Sequence, residues 1–155
     1  MRFLFFDRVL ELETGRRILA RKTLGLEAEV FQDHYPLRPV VPSTLIAETI
    51  AQIAGWLNFV THDRRIRMVV ALAEDLRLER PVLPGEVLDV EAVFLYRNSS
   101  GATLSAEVRI AGERVASVGR LVFVNREIDP AALTAAEREH YAYLGLVAAV
   151  GGEAP

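Results

Sequence analysis

Residues 43–60 constrain the fold more than any other segment, because apolar side chains occupy nearly every face of the helix that they predict. A helix that is apolar around its whole circumference must be buried on all sides. Glu48, Gln52 and Asn58 interrupt the apolar run, which favours a buried core helix over a membrane span. The rest of the chain must therefore supply a surface that wraps around this helix.

The sequence on either side of the helix changes to a period of two, which is typical of strands with one buried face. Leu104, Ala106, Val108 and Ile110, for example, alternate with polar neighbours. The predicted strands are residues 3–13, 16–24, 68–79, 87–96, 103–110 and 114–125. We therefore expect an α+β fold in which a curved antiparallel sheet of five to six strands wraps around one long central helix.

The composition is that of an ordinary globular chain of 155 residues, 51% of them hydrophobic and 25% charged. We expect one domain over residues 1–128 and a C-terminal extension over 129–155, helical from 130 to 148 and then frayed. The net charge of −3 argues weakly against a nucleic-acid-binding protein. The absence of cysteine excludes disulfides and thiol nucleophiles, and the N-terminus is too briefly apolar for a signal peptide, so we expect a cytoplasmic protein.

An imidazole and a carboxylate flank the start of the central helix. His34 lies in a loop over residues 25–42, which is expected to be irregular because prolines recur at every third position from 36 to 42. Glu48 lies inside the helix, roughly 7–8 Å from its start. Histidine titrates near neutral pH, and a helix N-terminus favours negative charge. The pair indicates acid–base chemistry beside a helix N-terminus.

Several runs of residues together form a recognisable signature over roughly residues 5–125. These runs are Phe6-Asp7-Arg8-Val9, His34-Tyr35-Pro36, Pro39-Val40-Val41-Pro42, Glu48-Thr49-Ile50-Ala51-Gln52 and Arg80-Pro81-Val82-Leu83-Pro84-Gly85-Glu86. With them the chain resembles the FabA/FabZ-type (3R)-hydroxyacyl-acyl carrier protein dehydratases. The resemblance implies the hotdog fold, which agrees with a helix wrapped in a sheet.

The resemblance also implies roles for individual residues. His34 would be the catalytic histidine and Glu48 the catalytic carboxylate, with His34 of one subunit facing Glu48 of the other in a homodimer. The backbone N–H of Ser43, where the family has glycine, would bind the thioester carbonyl. Further residues expected around the substrate are Pro42, Thr44 and Gln52. Gln52 lies one turn beyond Glu48 on the same helix face, where it is expected to hold the Glu48 carboxyl.

The implied activity is the dehydration of (3R)-hydroxyacyl thioesters to trans-2-enoyl thioesters in the synthesis of fatty acids or related acyl chains. The implied partners are an acyl carrier protein with a phosphopantetheine-linked acyl group and a second copy of the chain, with a trimer of dimers also open. No metal or organic cofactor, nucleic acid or membrane span is implied.

Two departures from the family pattern leave alternatives open. Ser43 replaces a glycine, and would be strained if the position required a positive φ; Thr44 replaces an apolar residue. The alternatives are a hotdog acyl thioesterase and a non-catalytic subunit that binds acyl thioesters. The order and spacing of His34 and Glu48 favour the dehydratase. Trp56 and Phe59 are interpreted as core residues rather than as the lining of an acyl pocket.

Overall fold

The computed structural model describes residues 6–33 and 37–128, and the single residues 135, 138, 139 and 142. Its elements are β1 (Arg8–Glu13), β2 (Arg17–Thr23), α1 (Val30–Asp33), α2 (Ser43–Thr61), β3 (Ile66–Glu74), β4 (Arg77–Leu78), β5 (Val87–Asn98), β6 (Gly101–Ile110) and β7 (Glu113–Glu127). His34 and most of the predicted C-terminal extension lie outside the described residues. The domain boundary at residue 128 therefore stays a prediction.

The seven strands of the described residues form one antiparallel sheet in the order β1-β2-β5-β6-β7-β3, with β4 paired to β7. The predicted architecture is confirmed, with one strand more than expected. The segment predicted as a single strand over 68–79 is divided into β3 and β4, because Asp75 between them has a φ of 56°, a left-handed conformation that interrupts a strand. The predicted irregular loop over 25–42 contains the one-turn helix α1 ahead of its prolines.

Helix α2 packs against β2, β3, β5, β6 and β7. Pro42 is the N-cap residue, with φ −55° and ψ 135°. The helix begins after it because proline has no N–H with which to donate a helical hydrogen bond to an earlier residue. Ile50, Ile53 and Leu57 are each no more than 2% exposed, and burying each of them stabilises the fold by about 1.5–3 kcal/mol. Within the part of the chain that the structure describes, no helix has both the length and the apolar character needed to cross a bilayer.

The sheet does not cover α2 on every side. Glu48 is exposed, and its helix neighbours Ala51 and Gln52 are only half-buried. The expectation of a helix buried all round is therefore wrong for the single chain at this position. The carboxylate lies where the sheet leaves the helix open, so it keeps its contact with water and avoids the cost of burying a charge.

Candidate active site

A cavity of about 310 Å³ lies along the uncovered face of α2. Its helical wall is one stripe of residues spaced by three and four positions, which share a helix face. These residues are Glu48, Ala51, Gln52, Gly55, Trp56 and Phe59. The facing wall is formed by Phe6, Met68, Val70 and Phe123. The volume falls at the lower end of the ~300–1,000 Å³ typical of small-molecule sites, and the lining is apolar except for Glu48 and Gln52.

Glu48 and Gln52 are joined at the polar end of this stripe. The side-chain amide of Gln52 donates from Nε2 to Oε1 of Glu48 over 2.9 Å. The predicted contact between the two side chains is thus confirmed. Because the two residues are one turn apart, the hydrogen bond holds the carboxyl against the helix surface and beside the cavity.

The start of α2 presents backbone donors that have no partner within the helix. The N–H groups of Leu45 and Ile46 donate to the carbonyl of Pro42 over 3.0 and 3.3 Å. The N–H groups of Ser43 and Thr44 come before this first bond and are thus among the donors that a helix leaves without an intrahelical partner. Among the described residues, no side chain caps this end, and no acidic residue lies in the first turn of α2, so the partial positive charge of the helix start favours an anionic group.

Ser43 fits this position without backbone strain. It is the first residue of α2 and is not among the described residues with positive φ. The condition under which serine would be strained in place of glycine is therefore not met. The Ser43 and Thr44 side chains are both exposed to solvent, so neither is packed into the interior at the helix start.

A buried amide pair supports the wall of the cavity. Nδ2 of Asn58, a fully buried residue, donates to Oδ1 of Asn125 over 2.8 Å and approaches Sδ of Met68 at 3.8 Å. Oδ1 of Asn58 and Nδ2 of Asn125 are buried and have no hydrogen-bond partner within the described residues. The pair ties α2 to β7 and places a polar contact behind Met68, which lines the cavity.

The structure brings some of the predicted site residues together. Glu48 and Gln52 line the cavity, while Pro42, Ser43 and Thr44 form the helix start about one turn away along α2. His34 lies outside the described residues, so its place in the site stays a prediction. All these assignments remain proposals as to function.

Most of the apolar lining of the cavity was not predicted from the sequence. Trp56 and Phe59 are core residues, as interpreted, but they also line the cavity, with their rings 5.5 Å apart. The signal was present in the sequence, since counting three and four positions onward from Glu48 leads to Ala51, Gly55 and Phe59. The facing wall is assembled from three separate segments of the chain, and no pattern in the sequence shows that they meet.

Comparison with known proteins identifies relatives over most of this chain. A family model described as a FabA-like domain matches residues 1–118. The 3-hydroxyacyl-(acyl-carrier-protein) dehydratase FabZ of Acidovorax sp. (strain JS42) is 38% identical over 133 residues, covering 81% of this chain and 89% of that protein. The enzyme of the same name from Ruminiclostridium cellulolyticum is 34% identical over 122 residues, covering 78% and 85%.

Solved structures support the fold at much lower sequence identity. The dehydratase heterocomplex ApeI:P from Xenorhabdus doucetiae contains a chain that matches with a TM-score of 0.65 at 14% identity, covering 90% of this chain and 89% of that one. A Streptococcus mutans protein solved with acetyl CoA matches with a TM-score of 0.64 at 13% identity, covering 82% and 93%. The hotdog fold implied by the resemblance is confirmed, and the chain belongs to the FabA-like family.

Proposed function

We propose that the protein is a hydro-lyase that removes water from (3R)-hydroxyacyl thioesters carried by an acyl carrier protein and forms trans-2-enoyl thioesters. The observation that carries the proposal is the position of Glu48, held by Gln52 at the polar end of an apolar cavity on the central helix. The family and the printed activity of its FabZ relatives support the same reaction.

The chemistry needs a base, an acid and a group that stabilises an enolate. His34 takes the proton from the carbon next to the thioester carbonyl, since its pKa range suits a base at neutral pH. The carbonyl oxygen then gains negative charge, which the N–H of Ser43 and the dipole of α2 stabilise. Glu48 gives a proton to the departing hydroxyl, which leaves as water while the double bond forms.

A second copy of the chain completes the site in this proposal. β3 is the last strand of the sheet and is exposed along most of its length, with Val69 63%, Val70 42% and Leu72 43% exposed. An apolar edge strand of this kind promotes pairing with another chain unless it is covered. Met68 and Val70 of the same strand line the cavity. A partner strand at this edge would border the cavity that Glu48 lines, which supports the proposal that His34 of one subunit meets Glu48 of the other.

An acyl carrier protein is the macromolecular partner in this proposal, because the FabZ relatives are named for substrates bound to that carrier. The cytoplasmic location and any assembly beyond a dimer stay predictions from the sequence.

The thioesterase and the non-catalytic alternatives differ from the dehydratase in their products, so one assay separates the three.

The test is to incubate the protein with a 3-hydroxyacyl thioester of acyl carrier protein and to follow the enoyl product by mass and the free thiol by dye. The proposal expects the enoyl product without thiol release. His34→Ala abolishes product formation and Glu48→Gln nearly does so, while Glu127→Gln, a change at an exposed carboxylate on β7, leaves it unchanged. Release of thiol would favour the thioesterase, and binding without turnover the non-catalytic subunit.

A further inference from the structure

Thr44 begins a line of polar side chains on the open face of α2. The exposed residues of this helix are Ser43, Thr44 and Glu48. Thr44 and Glu48 are four positions apart, so their side chains share a helix face, with Cβ atoms about 5–6 Å apart. Gln52 follows Glu48 at the same spacing and is half-buried. The line therefore runs from the helix start at Thr44 through Glu48 to Gln52.

The helix does not use the Thr44 hydroxyl. Thr49 is a useful contrast, because it is 1% exposed and donates its hydroxyl to the carbonyl of Leu45 over 2.8 Å. Thr44 has no helical carbonyl four residues earlier to bond in this way, since α2 begins at Ser43. Within the described residues the Thr44 hydroxyl has no hydrogen-bond partner, which leaves its donor and acceptor sites to a ligand.

Gln52 engages one of the two carboxylate oxygens of Glu48. Its Nε2 donates to Oε1 over 2.9 Å, and within the part of the chain that the structure describes Oε2 has no hydrogen-bond partner. Gln52 lies one turn after Glu48 and Thr44 one turn before it, so the two flank the carboxylate along the helix axis. A small polar group that binds Glu48 on the side of the helix start is therefore within reach of Thr44.

The proposed substrate brings such a group to this place. In the proposed reaction the N–H of Ser43 binds the thioester carbonyl, and Glu48 gives a proton to the C3 hydroxyl. Thr44 lies between these two points along α2. Its hydroxyl can donate to the C3 oxygen while the C3 hydroxyl contacts Glu48. Saturated and 2-enoyl chains have no oxygen at C3 and cannot make this bond.

We propose that Thr44 is a specificity-determining residue whose hydroxyl binds the C3 hydroxyl of the acyl group. This inference rests on the proposed function, because it takes the positions of the thioester and of the C3 hydroxyl from that reaction. The site then prefers 3-hydroxyacyl chains to chains without an oxygen at C3. The contact is lost when water leaves, which favours release of the enoyl product.

The test measures, by calorimetry, the affinity for the (3R)-3-hydroxybutyryl and butyryl amides of aminopantetheine, which differ only in the C3 hydroxyl. The amide makes the neighbouring carbon less acidic than a thioester does, so binding is measured without turnover. Thr44→Val keeps the shape of the side chain and removes the hydroxyl. It is expected to bind the hydroxybutyryl amide more weakly by roughly two- to tenfold and the butyryl amide as tightly as the wild type.

Two further variants serve as controls. Thr44→Ser keeps the hydroxyl and is expected to retain the wild-type preference for the hydroxybutyryl amide. Thr49→Val removes a buried hydroxyl from the same helix and is expected to retain that preference as well. The melting temperature of each variant shows that it is folded under the conditions of the measurement.

The outcomes separate this inference from the proposed function. An unchanged preference in Thr44→Val, or its loss in Thr44→Ser, would overturn the role of Thr44, whether or not the wild type dehydrates its substrate. Equal weakening of both amides would also overturn it, because the affected contact would then be to a part that they share. A loss confined to the hydroxybutyryl amide, in a protein that dehydrates nothing, would uphold Thr44 and overturn the hydro-lyase. Failure of the wild type to bind either amide would overturn both.

Discussion

The side-chain amide of Gln52 lies 2.9 Å from the carboxylate of Glu48, one turn earlier on α2. Glu48 is exposed on the face of the helix that the described sheet leaves open. An exposed glutamate has several rotamers open to it, and a hydrogen bond from the next turn reduces their number. The contact thus prepares the carboxylate for its proposed role before substrate binds. Gln52 acts through Glu48 and is a positioning residue in this proposal.

Gln52→Met keeps the length of the side chain but removes the donor. A hydrogen bond contributes about 0.5–1.5 kcal/mol, so kcat is expected to fall by roughly two- to tenfold. KM is expected to stay close to its wild-type value, because the acyl chain and the thioester keep their contacts. Steady-state kinetics on a 3-hydroxyacyl thioester check this. A rise in KM at unchanged kcat would instead place Gln52 among residues that only bind substrate.

If His34 of one subunit and Glu48 of the other form one site, two inactive variants are expected to complement each other. A dimer with His34→Ala in one subunit and Glu48→Gln in the other retains one complete site if the two residues meet across the interface. Co-expression with two different tags and tandem purification yields this mixed dimer, and its dehydratase activity is expected to be clearly above that of either parent. A mixed dimer as inactive as its parents would show that each site lies within one subunit.

The sequence predicts where α2 begins and which strand faces are buried, but not which part of the helix stays exposed or where β3 ends. The start of α2 at Ser43 followed from Pro42, which fixes the local backbone, and the strand faces followed from alternation of side chains. The exposure of Glu48 did not follow, because a residue's burial depends on which element covers it. The left-handed Asp75 that divides β3 from β4 carried no glycine or proline signal.

The candidate site shows the same division. The Glu48–Gln52 contact was predictable, because it depends only on helical spacing. Met68 reaches the cavity from the strand that follows α2 and Phe123 from a strand far along the chain, and no local pattern specifies that these two side chains meet.

The residue that follows the C-terminus of α2 has a left-handed backbone conformation, which is unfavourable for any residue except glycine. Asp63 has a φ of 53°, and its N–H donates to the carbonyl of Val60 while that of Arg64 donates to Phe59. This is the Schellman arrangement, in which glycine is the usual residue at the left-handed position. Asp63→Gly is expected to raise the free energy of unfolding by about 1 kcal/mol, as measured by urea denaturation.

Asp63→Ala separates the causes of this effect. It removes the negative charge, which the helix dipole disfavours at a C-terminus, but keeps the Cβ that strains the left-handed backbone. The alanine variant is therefore expected to gain less stability than the glycine variant. Equal gains for both would show that charge rather than backbone strain limits stability at this position.

The turn before β5 predicts a pH dependence of stability. Glu86 accepts hydrogen bonds from Arg80 over 3.0 Å and from the N–H of Leu83 over 2.7 Å. The Arg80 guanidinium, followed by the Leu83 N–H, lowers the pKa of the Glu86 carboxyl below its ordinary range. A carboxyl with a lowered pKa in the folded state stabilises the fold above its unfolded-state pKa of about 4.3. This stabilisation is lost as the pH falls through the lower folded-state pKa.

Glu86→Gln tests this dependence, because glutamine cannot lose a proton and its stability lacks this contribution at every pH. The wild type is expected to be more stable at neutral pH and to lose its advantage progressively as the pH falls below about 4.3. Melting temperatures of both proteins from neutral to acidic pH measure the difference. Glu127→Gln, at an exposed carboxylate on β7, is the matched control and should follow the wild type. Parallel curves for Glu86→Gln and the wild type would mean that Glu86 binds protons equally in the folded and unfolded chains, so that the Arg80–Glu86 pair does not make stability depend on pH.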